Sequence, residues 1–304
     1  MIAFEPHFFT VLQLDALIQM NPYRELVASY ARFRREGKSY ACGGFEIPNH
    51  PALPPEAPTA LIFSPHPDDE CIIGGLALRL RRECRMRVVN VAVTQGSNKS
   101  RQEARWHELQ SACAYMGFGL IQTLPGGLEG VTLEGRRRDP AGWARSVNII
   151  AAILSESNPR VVFFPHEQDW NGTHIGTHWL VVEALQSLGR EFATIVVETE
   201  YWGQMAHPNL MVESSEEDVV AMVTGTSFHV GEVKRNPFHT LLPAWMQDNV
   251  RRGSEVVGGQ GEAAPEFGFA TLYRMHRWRH GGFEPHFRGG KLLGCGQEAS
   301  ALLA

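Results

Sequence analysis

The sequence has no C-x-x-C pair, no long apolar run, no surplus of positive charge and no glycine-rich nucleotide turn. Each absence narrows the field. The five cysteines (Cys42, Cys71, Cys84, Cys113 and Cys295) are odd in number and widely scattered. That spacing fits neither a zinc ribbon nor a disulfide framework, and it is read as reduced thiols in a cytoplasmic protein. No run approaches the roughly 18 apolar residues that cross a bilayer, so no membrane span is expected. The apolar N-terminus carries Glu5, Pro6, His7 and Asp15 and lacks a basic leading segment, so no secretory signal is read there. A formal net charge of −5 argues against broad nucleic-acid binding, which needs a basic face to displace counterions. No G-x-G-x-x-G follows a strand, and Gly74-Gly75 come late, after a run of acids. A non-catalytic Rossmann-like module for a nucleotide or methyl donor is therefore the weaker alternative.

What is present is a chain of 304 residues, 43% hydrophobic and 20% charged, with ample length to bury a core. From residue 59 onward, strand and helix patterns alternate. Residues 59–65 (TALIFSP), 87–94 (RVVNVAVT), 120–124, 160–165 (RVVFFP) and 193–201 (ATIVVETEY) read as buried strands. Residues 74–86, 99–117, 143–156 and 173–188 read as helices, the second ending on Gly117. This alternation indicates a parallel, doubly wound α/β sheet. Ahead of it lies an extension of about 57 residues with a helical front and a proline-rich end, IPNHPALPPEAP. After residue 203 the pattern loosens. A strand then a helix starting at Glu216 are expected over 210–223, a loop with five glycines over 251–268, and a late strand over 271–278. FEPHF occurs at 4–8 and again at 283–287, in unmatched surroundings.

Two constellations carry chemistry. The first strand ends in Pro65-His66-Pro67-Asp68-Asp69-Glu70, and ligands of open parallel sheets bind at the carboxyl ends of strands. Pro67 stiffens the turn, and positions 66 and 69 can converge on one point. Imidazole nitrogen plus carboxylate oxygen is a donor set suited to Zn²⁺, with Asp68 beside it as a general base for an attacking water. The competing reading is an acidic helix start, in which one of the three acids caps the helix and all complement its dipole.

The second constellation is DWNGTHIGTH, residues 169–178, after the strand RVVFFP and His166. A catalytic zinc needs a third protein ligand, and His166, His174 and His178 are the candidates. His174 falls in the first turn of a helix, and His178 lies one turn deeper, where a packing role competes.

The stretch 65–70 followed by Gly74-Gly75 resembles the signature of the PIG-L/LmbE-like zinc deacetylases. Arg105, Glu108, Ala112, Met116 and Gly117 resemble a further family pattern, with Met116 in place of a leucine. The resemblance covers roughly residues 60–202. It implies a Rossmann-like three-layer α/β/α fold with a mostly parallel sheet. One deacetylase domain would span 58–304, with its motifs within 60–202 and a C-terminal elaboration over 203–304. Residues 1–57 would form an extension packed on that core.

The resemblance further implies one Zn²⁺ per chain (Fe²⁺ or Co²⁺ in its stead) held by His66, Asp69 and His174, with Asp68 as the base. The family's second motif is commonly H-P-D-H, and the matching stretch here is Asn171-Gly172-Thr173-His174. Asn171 can donate a hydrogen bond to an oxyanion but cannot deliver a proton. The proton donor is then sought among His178, Asp169, His166, His286 and Asp68 itself.

The implied substrate is a small N-acylated amino sugar or sugar conjugate, most simply an acetamide. An amidase cleaving a larger conjugate is the runner-up. Arg101, Arg105, Asp169, Trp170 and Trp202 are candidate substrate contacts; solvated helix faces for the arginines and core packing for the aromatics are the alternatives. The C-terminal third is left as a lid, a sugar subsite or a contact in a homo-oligomer.

Overall fold

The computed structural model describes residues 21–304, so the first copy of FEPHF and the front of the extension lie outside the described residues. Residues 21–40 and residues 41–304 fall in two separate compact units. In the first, helix α1 (Pro22–Gly37) starts on Asn21, whose side chain accepts the Tyr23 N–H, and carries proline in its first turn. The second unit includes the proline-rich stretch. Its carbonyls at Pro51, Ala52, Pro54 and Pro55 accept from Arg81, Arg85 and Arg87.

In chain order the larger unit runs β1 (Thr59–Ser64), the single-turn α2 (Asp69–Ile72), α3 (Leu76–Arg82), β2 (Arg87–Ala92), α4 (Gln102–Met116) and β3 (Gly119–Gln122). It continues with α5 (Leu133–Arg138), α6 (Pro140–Ser157), β4 (Val161–Pro165), α7 (Gly172–Ser187) and β5 (Thr194–Thr199). The remainder is β6 (Leu210–Ser214), α8 (Glu216–Ser227), α9 (Val230–Arg235), α10 (Leu242–Val256), β7 (Phe269–Arg279), β8 (Gly282–Pro285) and β9 (Lys291–Leu293).

One sheet orders its strands β3-β2-β1-β4-β5-β7-β6-β9, with β8 paired to β7. The first five are parallel, β7 and β6 are each antiparallel to their neighbour, and β9 runs parallel to β6. The expected parallel core is thus extended by a mixed C-terminal half.

Alternation along β1 explains the layers. Ala60 and Ile62 enter one apolar cluster with α3, α4 and α8, while Leu61 and Phe63 enter another with α6 and α7. With both faces covered, the strand reads as a continuous apolar run. Order reverses between β1 and β4, and the crevice at such a switch point is where open α/β sheets bind ligands.

The glycine-rich stretch 251–268, expected as loop, begins inside a helix: α10 runs to Val256. Leu242, Met246, Asn249, Val250 and Gly253 are its buried stripe. A Cβ on Gly253 would meet Met211 Sδ at 2.6 Å, so this glycine serves close helix–sheet approach, not a turn. Ser215 caps α8 through a capping box with Asp218, as the serines before Glu216 suggested. No described helix is long and apolar enough to cross a membrane.

Candidate active site

His66 and Asp69 lie in the turn after β1, and His174 lies in the first turn of α7, after β4. Their donor atoms converge. His66 Nδ1 is 3.2 Å from His174 Nε2, His174 Nε2 is 3.4 Å from Asp69 Oδ2, and His66 Nδ1 is 3.5 Å from Asp69 Oδ2. Ligands about 2.0–2.1 Å from a tetrahedral zinc stand about 3.3 Å from one another, so these residues fit such an ion. Asp69 and His174 are almost wholly buried, while His66 faces a cavity.

The turn is built by its own acids. Asp69 Oδ2 accepts the His66 N–H at 2.8 Å, and Glu70 Oε2 accepts the Asp68 N–H at 3.0 Å. Neither bond is a helix cap, and Asp68, at the cap position of α2, makes no side-chain cap bond. Asp68 has φ 115°, a left-handed conformation that costs a residue with a side chain about 1–3 kcal/mol and that clusters at functional sites. Arg105 Nη2 donates to Pro67 O at 2.9 Å and braces the same turn.

Charge follows from this crowding. Burial raises the pKa of Asp68 well above its ordinary value, and the Asp69 carboxylate adds to the effect, opposed by Arg105. For Asp69 burial also raises, but the adjacent His174 and His66 win and hold it low. His174 is lowered by burial, yet Asp69 and Asp169 pull it up. A cation within the triangle acts on both aspartates in the opposite sense to burial.

The loop after β4 supplies a supporting shell. Asp169 Oδ1 accepts the Asn171 N–H at 2.8 Å and stands 3.6 Å from His174 Nδ1, just beyond hydrogen-bond length. Asp169 Oδ2 accepts the N–H groups of Trp202 and Gly203 at 3.2 Å, tying the loops after β4 and β5 together. The Tyr201 ring stands edge-on to His174, centroids 4.8 Å apart. Asn171 caps α7, its Oδ1 accepting from Thr173 N at 2.8 Å, which leaves its NH₂ as the side chain's donor.

The structure does not bring every candidate into the triangle. His178 Nδ1 lies 3.0 Å from Pro165 O and 3.4 Å from Glu198. With Glu167 it belongs to a second group of ligand-type residues, but Arg274 pairs with both Glu167 and Glu198, so a guanidinium already neutralises these acids. In a third group, Glu70, Cys71 and His229, the Glu70–His229 contact of 2.7 Å is a hydrogen-bond length, shorter than the spacing of two metal ligands.

His166 is bonded at both nitrogens, to Gly203 O and Gln168 N. His286 bonds Arg277 and Leu302 O, near the start of β5 and away from the strand ends that carry the triangle. Arg101 pairs with Glu232 at 2.8 Å. Trp170 is 82% exposed and Trp202 50% exposed, with Trp202 edge-on to Phe238.

A cavity of about 350 Å³ opens beside His66, lined by Ser97, Lys99, Gln102, Glu129 and Thr173 among others. A second, of about 600 Å³, shares the wall Leu128-Glu129-Gly130. Sequence reading misses Lys99, Gln102 and Glu129, because isolated polar residues in a loop and a first helical turn carry no pattern.

Residues 61–185 match the family model described as PIG-L: GlcNAc-PI de-N-acetylase. The chain is 19% identical to a conserved protein from Thermus thermophilus, with a TM-score of 0.54 over 71% of this chain and 93% of that one. It is 14% identical to the N,N'-diacetylchitobiose deacetylase of Pyrococcus horikoshii, with a TM-score of 0.51 over 74% of this chain and 85% of the other. A zinc-inhibited form of teicoplanin deacetylase is also 14% identical, with a TM-score of 0.50 over 72% and 98%. No curated protein matches the sequence. At these identities the structural likeness establishes a shared fold. The PIG-L match takes in the whole His66–Asp69–His174 triangle, and β6–β9 and His229 lie beyond it.

Proposed function

We propose that this protein is a metal-dependent N-deacylase that hydrolyses the amide of an N-acylated amino sugar or sugar conjugate. The observation that carries the reading is the convergence of His66, Asp69 and His174 at a topological switch point, with Asp68 next to them in a strained turn.

Zn²⁺ or a similar divalent ion, held by those three side chains, would lower the pKa of water and polarise a carbonyl. Asp68 accepts the proton of the water that attacks the amide carbon. Asn171, with its oxygen committed to the helix cap, offers its NH₂ to the carbonyl oxygen as negative charge develops there. Asp169 orients His174 from behind.

Collapse of the tetrahedral adduct breaks the C–N bond and needs a proton on the departing amine. His166 and His286 are committed at both nitrogens, His178 is hydrogen-bonded to Pro165 O beside Glu198, and Asp169 accepts N–H groups at both oxygens, which favours its ionised form. Asp68 therefore returns the proton it took. The family description and the deacetylase neighbours support a sugar amide as substrate. The cavity beside His66 is of a size to take a monosaccharide. The adjoining larger cavity favours a conjugate over a bare sugar, and keeps the amidase reading as the second choice.

The test is product mass spectrometry over a panel of N-acyl amino sugars and their conjugates, with and without a chelator. Release of acetate and free amine, abolished by the chelator and restored by Zn²⁺, is the expected result. No hydrolysis of any amide by protein carrying its metal would sink the proposal.

A further inference from the structure

His229 is fully buried, 159 residues after Glu70 in sequence, and its Nε2 lies 2.7 Å from Glu70 Oε1. The ring's Nδ1 is buried and has no hydrogen-bond partner among the described residues. An orphaned lone pair costs less than an orphaned N–H, so the proton sits on Nε2 and is donated to the carboxylate. The other oxygen of Glu70 accepts the backbone N–H of Asp68 at 3.0 Å. His229, Glu70 and the Asp68 amide thus form one continuous line of hydrogen bonds that ends on the residue with φ 115°.

The segment carrying His229 is anchored independently. Gly231 N–H donates to Glu108 at 2.8 Å, and Glu232 pairs with Arg101 at 2.8 Å and with Arg105 at 3.9 Å. This is the use the structure gives to Arg101. It ties the C-terminal half to the start of α4, the helix whose Arg105 braces the turn after β1.

We propose that His229 is a positioning residue for Asp68, acting through Glu70 to hold the strained turn that aims the base. The proposal rests on the reading of Asp68 as general base. Without the imidazole, Glu70 Oε1 keeps among the described residues only the Cys71 thiol at 3.2 Å, a weak donor, and the carboxylate can turn away from the Asp68 amide. The backbone of Asp68 is then released toward an unstrained conformation. Asp69 is held separately by the His66 N–H, so the metal triangle survives while the base loses its aim.

Three variants in the full chain test this. His229→Asn keeps a buried amide that is too short to reach Glu70. His229→Gln places its Nε2 where the imidazole Nε2 lies. Glu70→Gln offers one acceptor to two donors, and so reads the same contact from its other end should His229→Asn fail to fold. The expected result for His229→Asn and Glu70→Gln is a kcat about 10–100-fold lower with KM within about twofold and metal content unchanged. Their Asp68 amide should exchange with deuterium at least about tenfold faster in the metal-free protein. His229→Gln should recover both readouts to within about threefold.

Unchanged exchange at Asp68 in His229→Asn or Glu70→Gln would overturn the positioning role while leaving the hydrolase reading intact. Equal loss in His229→Asn and His229→Gln, with no rescue, would reduce His229 to core packing and overturn it as well. Faster exchange in a protein that hydrolyses no amide would overturn the assignment of Asp68 as base, and this proposal with it.

Discussion

His66 Nδ1 and His174 Nε2 stand 3.2 Å apart although 108 residues separate them in sequence. The two imidazole nitrogens and Asp69 Oδ2 lie within 3.5 Å of one another, able to share a proton or to close around a cation at the ligand spacing of a tetrahedral zinc. Purified protein is therefore expected to hold about one divalent ion per chain by elemental mass spectrometry. Replacing a single ligand with alanine, as in His174→Ala, should abolish tight binding while the fold persists. A His174→Ala variant that kept a full equivalent of metal would move the site elsewhere.

Asp68 is the residue whose chemistry and conformation are hardest to explain by folding alone. Asp68→Asn keeps the size and removes the base, so kcat is expected to fall by about 10²–10⁴. Metal content should stay at the wild-type level, since the three ligands are untouched. Elemental analysis and kcat measured on the same sample separate this from a folding defect.

The convergence of His66, Asp69 and His174 was legible because these residues sit at strand ends in short motifs, and position in an open α/β sheet carries meaning. The parallel half of the fold was legible for a similar reason: β1, β2 and β4 are apolar on both faces and bounded by turns. The second half was not. Gly253 looks like a loop residue, yet it admits α10 against Met211, a contact that no local pattern announces. Arg101 and Arg105 looked like substrate contacts from their place after a strand, whereas Glu232, more than 120 residues on, pairs with both. His229 is one histidine among thirteen, and its meaning comes only from what tertiary packing sets 2.7 Å from it.

Asn171 has two roles that one substitution can separate. Aspartate supplies the same capping oxygen and suits the positive end of α7, so Asn171→Asp is expected to keep the wild-type melting temperature. It has no NH₂ to offer a developing oxyanion, and kcat should drop by about 10²–10³. Asn171→Ala should lose both, with a stability cost of about 1 kcal/mol from the missing cap. Equal kcat values for Asn171→Asp and wild type would exclude Asn171 from the reaction.

Acid stability should be governed in part by Glu198, which is buried against Arg274, His276 and His178. Burial alone would raise its pKa, but its hydrogen bonds to His276 and Arg274 hold it down at about 2, against an ordinary 4.5. A carboxylate with a depressed folded pKa contributes stability above its unfolded pKa and loses it as pH falls toward the folded value. The loss is therefore expected between about pH 5 and pH 2, and a shift of that size is worth on the order of 3 kcal/mol. His178, pushed down chiefly by burial, adds a loss of the same sign that begins higher, as pH falls through its ordinary 6.5. Chemical denaturation of wild type and Glu198→Gln from pH 7 to pH 3 checks the assignment. The variant should be the less stable at pH 7, and the gap should close as pH falls. Parallel curves across that range would mean that Glu198 titrates alike in the folded and unfolded chains.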